Sequence, residues 1–202
     1  MMLGARTAAW AKSGAPLPYN SEVEYLESTG TQWVDSLCKN TETLEFRVKL
    51  DNSKMNNRSQ SLGYFGTIGH WGNLFGTFGR LKKPIIWVRP TWRYVGGELG
   101  MIEAFCGLDS ITINGVVCRK TGDGGNTYGG NIEIFRGKDG CSEIKMYSMQ
   151  IYDKGVSADG TLVRDFIPVR VGDVGYMYDR VSGQLFGNAG TGEFIIGPDK
   201  TT

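Results

Sequence analysis

Apolar and polar residues alternate along this chain with a period of two. Across Leu44-Glu-Phe-Arg-Val-Lys-Leu50, Leu44, Phe46, Val48 and Leu50 fall on one side, and Glu45, Arg47 and Lys49 on the other. Strict alternation predicts a strand with one buried face, because successive strand side chains point to opposite faces. Residues 51–60 are polar and predict a loop. Ile111-Thr-Ile-Asn-Gly-Val-Val-Cys118 predicts a hairpin, since Asn114-Gly115 supplies the two positive-φ residues of a type I′ turn. That register sets Ile113 opposite Val116 and Ile111 opposite Cys118, all four on one face, with Cys118 as a packing thiol. Residues 121–130 hold five glycines and predict a loop; Asn131 to Phe135 predicts another strand. Lys145 to Tyr152 alternates less cleanly, with Tyr147, Met149 and Ile151 on the more apolar face and Ser148 and Gln150 on the other. Gly175 to Tyr178 and Gln184 to Phe186 predict a second hairpin around Asp179 to Gly183, and Phe194 to Ile196 a short closing strand. No window carries a long 3.6-residue apolar period. Many short strands predict an all-β fold, an antiparallel sandwich.

Length and composition narrow this picture. A chain of 202 residues makes one domain, or one domain with extensions. Thirty glycines without a collagen period fit many turns. Lys plus Arg number 22 and Asp plus Glu 21, so no global charge draws the chain to nucleic acid or an acidic membrane. The four cysteines (Cys38, Cys106, Cys118 and Cys141) show no Cys-x-x-Cys spacing. Two bridges would allow three connectivities; reduced, buried thiols are the expectation. Residues 1–20 contain no acid and form an N-terminal arm before a domain spanning 21–202, with Pro16 and Pro18 at the entry. Leu3, Arg6 and Trp10 are the arm's anchoring candidates. Two readings stay open: a loose terminus, or an arm docking on a neighbouring subunit or larger assembly. The arm lacks the apolar run of a signal peptide, and no stretch approaches the ~20 apolar residues of a membrane span.

The order of the strand phrases resembles a laminin-G-like, concanavalin A-like sandwich over residues 22–196. Gly30-Thr-Gln-Trp33-Val34-Asp35 matches the family's opening strand, and Leu44 to Leu50 its Phe-x-Val strand. Ile111 to Cys118 matches the Asn-Gly hairpin, Ile134 to Gly137 the following strand, and Met146 to Asp153 a late strand ending Ile-Tyr-Asp. The hairpin extension over residues 162–196 is similar to a version recurring in proteins of gut bacteria and their phages. The resemblance implies a jelly-roll sandwich in which Val23 to Asp35 lays down an opening strand. It departs from the family at residues 61–98, a longer middle rich in glycine and aromatics.

Candidate chemistry is sparse. His70, the chain's one histidine, lies between Gly69 and Trp71 with no nucleophile elbow, so no triad is expected. Sugar hydrolases of this sandwich carry Glu-x-Asp-x-x-Glu on one strand, which projects carboxylates onto one face; no Glu-x-Asp occurs here. No phosphate loop or transition-metal set exists. Asp123 and Asp139 are weak calcium candidates, and no other cofactor is expected. The aromatic middle is the candidate site. Trp71, Trp87, Trp92 and Tyr94 would stack on sugar faces, and Asn73 and Arg93 would bond hydroxyls; alternatively these aromatics fill the core or a subunit interface. Basic residues from Arg80 to Arg93 would suit an anionic glycan or nucleic acid, or a solvated strand face.

The expectation is a non-catalytic binding or assembly module: a virion or cell-surface structural protein, oligomeric or part of a larger assembly. The alternative is a carbohydrate-binding module for an extracellular or host glycan, with a glycoside hydrolase a minor third.

Overall fold

A computed structural model of the chain describes residues 16–54, 62–67, 74–77, 84–87, 93–94, 99–108, 110–119, 128–137 and 139–201. All its regular elements among these residues are strands. The chain opens with β1 (Ser21–Glu22), β2 (Leu26–Glu27), β3 (Val34–Lys39) and β4 (Leu44–Asp51). Its middle holds β5 (Leu62–Gly66), β6 (Leu74–Thr77), β7 (Pro84–Trp87) and β8 (Arg93–Tyr94). Then come β9 (Met101–Cys106), β10 (Ser110–Ile113), β11 (Val116–Arg119), β12 (Asn131–Ile134), β13 (Arg136–Gly137) and β14 (Gly140–Cys141). It closes with β15 (Lys145–Asp153), β16 (Thr161–Val171), β17 (Val174–Asp179), β18 (Gln184–Phe186) and β19 (Ile195–Ile196).

These strands form two main antiparallel sheets. The larger has the order β11-β10-β9-β4-β15-β16-β17-β18; the smaller runs β3-β12-β5-β6-β7-β8. Their inner faces share one core. Leu44, Phe46, Val48 and Leu50 of β4 are buried, as alternation predicts, and the Phe46 ring lies 4.6 Å from that of Phe65 in the smaller sheet. Val34, Ile134 and Phe65 of the smaller sheet join the same cluster as Ile102, Met149, Ile151 and Phe166 of the larger. Burying each such side chain contributes roughly 1.5–3 kcal/mol. At one end of the core, Asn52 Nδ2 donates to Tyr64 Oη at 2.5 Å, and its Oδ1 accepts from Gly100 N–H at 2.7 Å.

Both predicted hairpins are present. Asn114 (φ 46°) and Gly115 (φ 81°) turn β10 into β11 with Ile111 opposite Cys118 and Ile113 opposite Val116. Burial on this hairpin departs from expectation. Ile111 and Ile113 are buried, but Val116 is 61% exposed, because β11 is the sheet's edge strand and nothing described covers it. The Cys118 side chain lies outside the described residues. Cys38, Cys106 and Cys141 are free thiols, of which only Cys106 is buried; Cys38 and Cys141 are half-exposed.

β15 also corrects the sequence reading. Met146, Met149 and Ile151 are its core residues, not Tyr147. A bulge falls between Met146 and Ser148 in the pairing with β4. The extra residue, Tyr147, flips the phase and sits half-buried against Tyr25, with ring centroids 5.5 Å apart. Val23 to Asp35 is not one opening strand either. β2 pairs with β15 in the larger sheet, whereas β3 begins the smaller one. Residues 28–33 carry the chain between the sheets, with Gly30 at φ 97° and Gln32 Oε1 accepting from Thr29 N–H at 2.8 Å. The crossing fits closely against the late loop: a Cβ on Gly190 would come within 2.0 Å of the Thr31 carbonyl oxygen.

The two ends of the described domain knit together. Glu24 N–H donates to Pro198 O at 2.8 Å, Gly197 N–H to Tyr25 O at 2.9 Å and Lys200 N–H to Glu22 O at 2.9 Å. Tyr19, placed with the arm by sequence, packs on the outer face of the larger sheet. Its ring lies 5.0 Å from Tyr178, over a second apolar cluster of Ile167, Val169 and Tyr178.

Burial there and the nearby Glu22 carboxylate push the Tyr19 phenol up from 10.0 to about 12. The fold therefore favours the neutral phenol. This stabilisation is intact below the unfolded-state value and is lost as pH rises through the folded one. Urea midpoints are expected to fall between about pH 10 and pH 12, and Tyr19→Phe should make the fall shallower. A fall of equal steepness in the variant would contradict the assignment.

Candidate functional site

The aromatic stretch is only partly described. Trp71, Asn73 and Trp92 lie outside the described residues, as do His70, Asp123, Leu3, Arg6 and Trp10. Trp87, Arg93 and Tyr94 have backbone positions in the smaller sheet. Tyr94 pairs with Ile85, two residues before Trp87, so positions 87 and 94 share one parity. Arg93 pairs with Ile86, Ile86 with Phe75, and Phe75 with Phe65. Position 93 thus belongs to the register row that runs through the core residues Phe65, Ile134 and Val34. Backbone register gives positions 87 and 94 one parity and position 93 the other. Asp139 is exposed between β13 and β14. Among the described residues, no group of three or more His, Cys, Asp or Glu is placed to hold a metal ion.

The described residues build a different site, on the outer face of the larger sheet. The alternation that sends Phe46 and Val48 inward sends Arg47 and Lys49 outward. Strand register then aligns their neighbours into one lateral row. Thr112 pairs with Phe105, Phe105 with Arg47, Arg47 with Gln150, and Gln150 with Asp165. An adjacent row joins Glu103, Lys49 and Ser148. Together with Arg180 and Gly115 they line an open groove of about 510 Å³.

Each end of the groove is held by local structure. At the β10–β11 end, Asn114 folds back on β9: its Oδ1 accepts from Glu103 N–H at 2.8 Å and its Nδ2 donates to Met101 O at 3.1 Å. At the other end, the buried Asp179 carboxylate accepts from the N–H groups of Asp165 (2.7 Å), Val181 (3.1 Å) and Ser182 (3.2 Å). This turn swings Arg180 back over Asp165, where Nε donates to Oδ2 at 2.9 Å.

A hydrogen-bonded relay sets the groove's polar side chains. Tyr152 Oη donates to Gln150 Oε1 at 2.9 Å, and Gln150 Nε2 donates to Asp165 Oδ1 at 3.1 Å. Asp165 is buried and ion-paired to Arg180 at 2.8 Å; Glu103 is paired to Lys49 at 2.6 Å. In the middle, the exposed Arg47 guanidinium lies 5.4 Å from the Phe105 ring centroid and 5.4 Å from that of Tyr152. The result is a firm surface of two aromatic rings, an amide, hydroxyls and a cation. Such a surface suits a ligand with both apolar faces and many hydroxyls.

Comparison with protein-family models, curated proteins and solved structures finds no match for this chain.

Sequence reasoning located the outward parity of Arg47, Lys49, Ser148 and Gln150 but not their convergence. The missing information was the β9–β4–β15–β16 strand order, which no local pattern encodes. One signal was present: β4 and β15 each carry a polar row opposite an apolar one, and two such strands side by side make a polar face.

Arg180→Ala leaves the buried Asp165 carboxylate without its cation and should destabilise the fold by about 3 kcal/mol. Removing Asp165 as well should restore part of that loss, because no buried charge is then stranded. Urea denaturation of both single variants and the double variant measures the coupling. Simple additivity would contradict it.

Proposed function

We propose that this protein is a non-catalytic carbohydrate-binding module that holds a glycan across the outer face of its larger sheet. The observation that carries the reading is Arg47 in the groove, set between the Phe105 ring that lines it and the neighbouring Tyr152 ring, beside Gln150, Thr112 and Ser148. Aromatic rings pack against the C–H faces of a sugar, and the amide and hydroxyls exchange hydrogen bonds with its edge. The resemblance to laminin-G-like and concanavalin A-like sandwiches, and with it an extracellular, cell-surface or virion setting, supports the same reading. Binding without catalysis is favoured by the condition of the groove's carboxylates. Asp165 and Glu103 are each engaged by a cation, and Asp165 also accepts from Gln150.

A second reading, a structural subunit of a larger assembly, rests on β11. Among the described residues this is an edge strand, and it exposes Val116 and Val117, each 61% accessible, where another strand could add to the sheet. Light scattering on the purified protein separates the two: a monomer counts against assembly through this edge.

A glycan array should give a hit that Phe105→Ala and Tyr152→Ala each weaken by about tenfold or more, the equivalent of roughly 1.4 kcal/mol. Trp71→Ala and Trp92→Ala should leave it unchanged. The opposite pattern would move the site to the aromatic stretch, and an array without hits would overturn the glycan reading.

A further inference from the structure

Building on that glycan reading, we infer that the ligand is an acidic glycan whose carboxylate is received by Arg47. The groove's lining holds three cations, Arg47, Lys49 and Arg180, against two carboxylates, Glu103 and Asp165. Lys49 is bound to Glu103 at 2.6 Å and Arg180 to Asp165 at 2.8 Å. Arg47 is the surplus charge. Its cross-strand neighbours are Phe105 on one side and Gln150 on the other, and neither is an acid. The nearest acid on its own strand, Glu45, is engaged elsewhere: Oε1 accepts from Leu108 N–H at 3.1 Å and Oε2 lies 3.7 Å from Lys154. Among the described residues Arg47 makes no ion pair, and its partners are the two rings.

This setting differs from that of an ordinary surface arginine. Contact with two rings restricts the side chain, so less rotamer freedom remains to be lost on binding. The rings attract the cation through their faces and, among the described residues, leave its N–H groups without a carboxylate acceptor. A planar guanidinium with free N–H groups matches a planar carboxylate through two parallel hydrogen bonds. A uronic acid joins that carboxylate to a ring with an apolar face, so one residue would engage Arg47 and a neighbouring aromatic together. Gln150, locked by Tyr152 and Asp165, would stand beside it for a hydroxyl.

The test is titration calorimetry with oligogalacturonate, oligoalginate and unsulfated chondroitin fragments, each beside its carboxyl-reduced, neutral counterpart. The protein should bind at least one acid form about tenfold or more tightly than its neutral counterpart. Added salt should shrink that preference. Arg47→Gln should abolish the preference, bringing the acid form down to the affinity of its neutral counterpart, while leaving the thermal midpoint in place. Arg47→Lys should retain part of it, since the charge survives and the fork does not. Equal affinity for acid and neutral forms, or a preference that survives in Arg47→Gln, would overturn the acidic ligand and leave the glycan reading standing. Absence of binding to every form would overturn both.

Discussion

The pairing of β4 with β15 is the contact on which the rest of the molecule depends. On its inner side Phe46 meets Ile151 and Val48 meets Met149, and these residues form the floor of the core. On its outer side Arg47 meets Gln150 and Lys49 meets Ser148, and these residues form the floor of the groove. One register therefore sets both. A slip of one residue would send every charged side chain inward and every apolar one outward. The hydrophobic core thus enforces the geometry of the polar face, and its Val48 and Ala104 also line the groove. That is a physical reason for a binding surface to sit on central strands, where side-chain positions are the most constrained in the sheet.

How much of this was legible in the chain depends on the range of the signal. β4 and the Asn114-Gly115 hairpin were legible because alternation and turn chemistry are local. The bulge at Tyr147 was not. A single extra residue changes the phase, and the sequence shows only that alternation weakens there. Val116 illustrates a different limit. Its register follows from the turn, but its exposure depends on whether another strand lies beyond β11. The groove was legible only as polar rows on separate strands. Joining them needed the strand order, which is set by contacts between residues as distant as Phe105, Arg47 and Gln150.

The smaller sheet and the chain ends complete the account. Residues 28–33 carry the chain from one sheet to the other, and the 188–192 loop closes over that crossing through Asn188 and Gly190. Tyr19 and the 195–200 segment seal the outer and end faces of the larger sheet. These contacts hold β16 and β17, and through them Asp165, Asp179 and Arg180, the groove's far wall. In the aromatic stretch, positions 87 and 94 share one parity in the smaller sheet, whereas the groove lies on the larger.

Amide chemical-shift mapping in the presence of an acidic oligosaccharide tests the central claim most directly, because it reads location as well as binding. Shifts concentrated on β9, β4, β15 and the 180–183 turn, around Phe105, Arg47, Gln150 and Tyr152, are the predicted result. Shifts concentrated on β7 and β8 around Trp87 and Tyr94, with β4 and β15 silent, would contradict it.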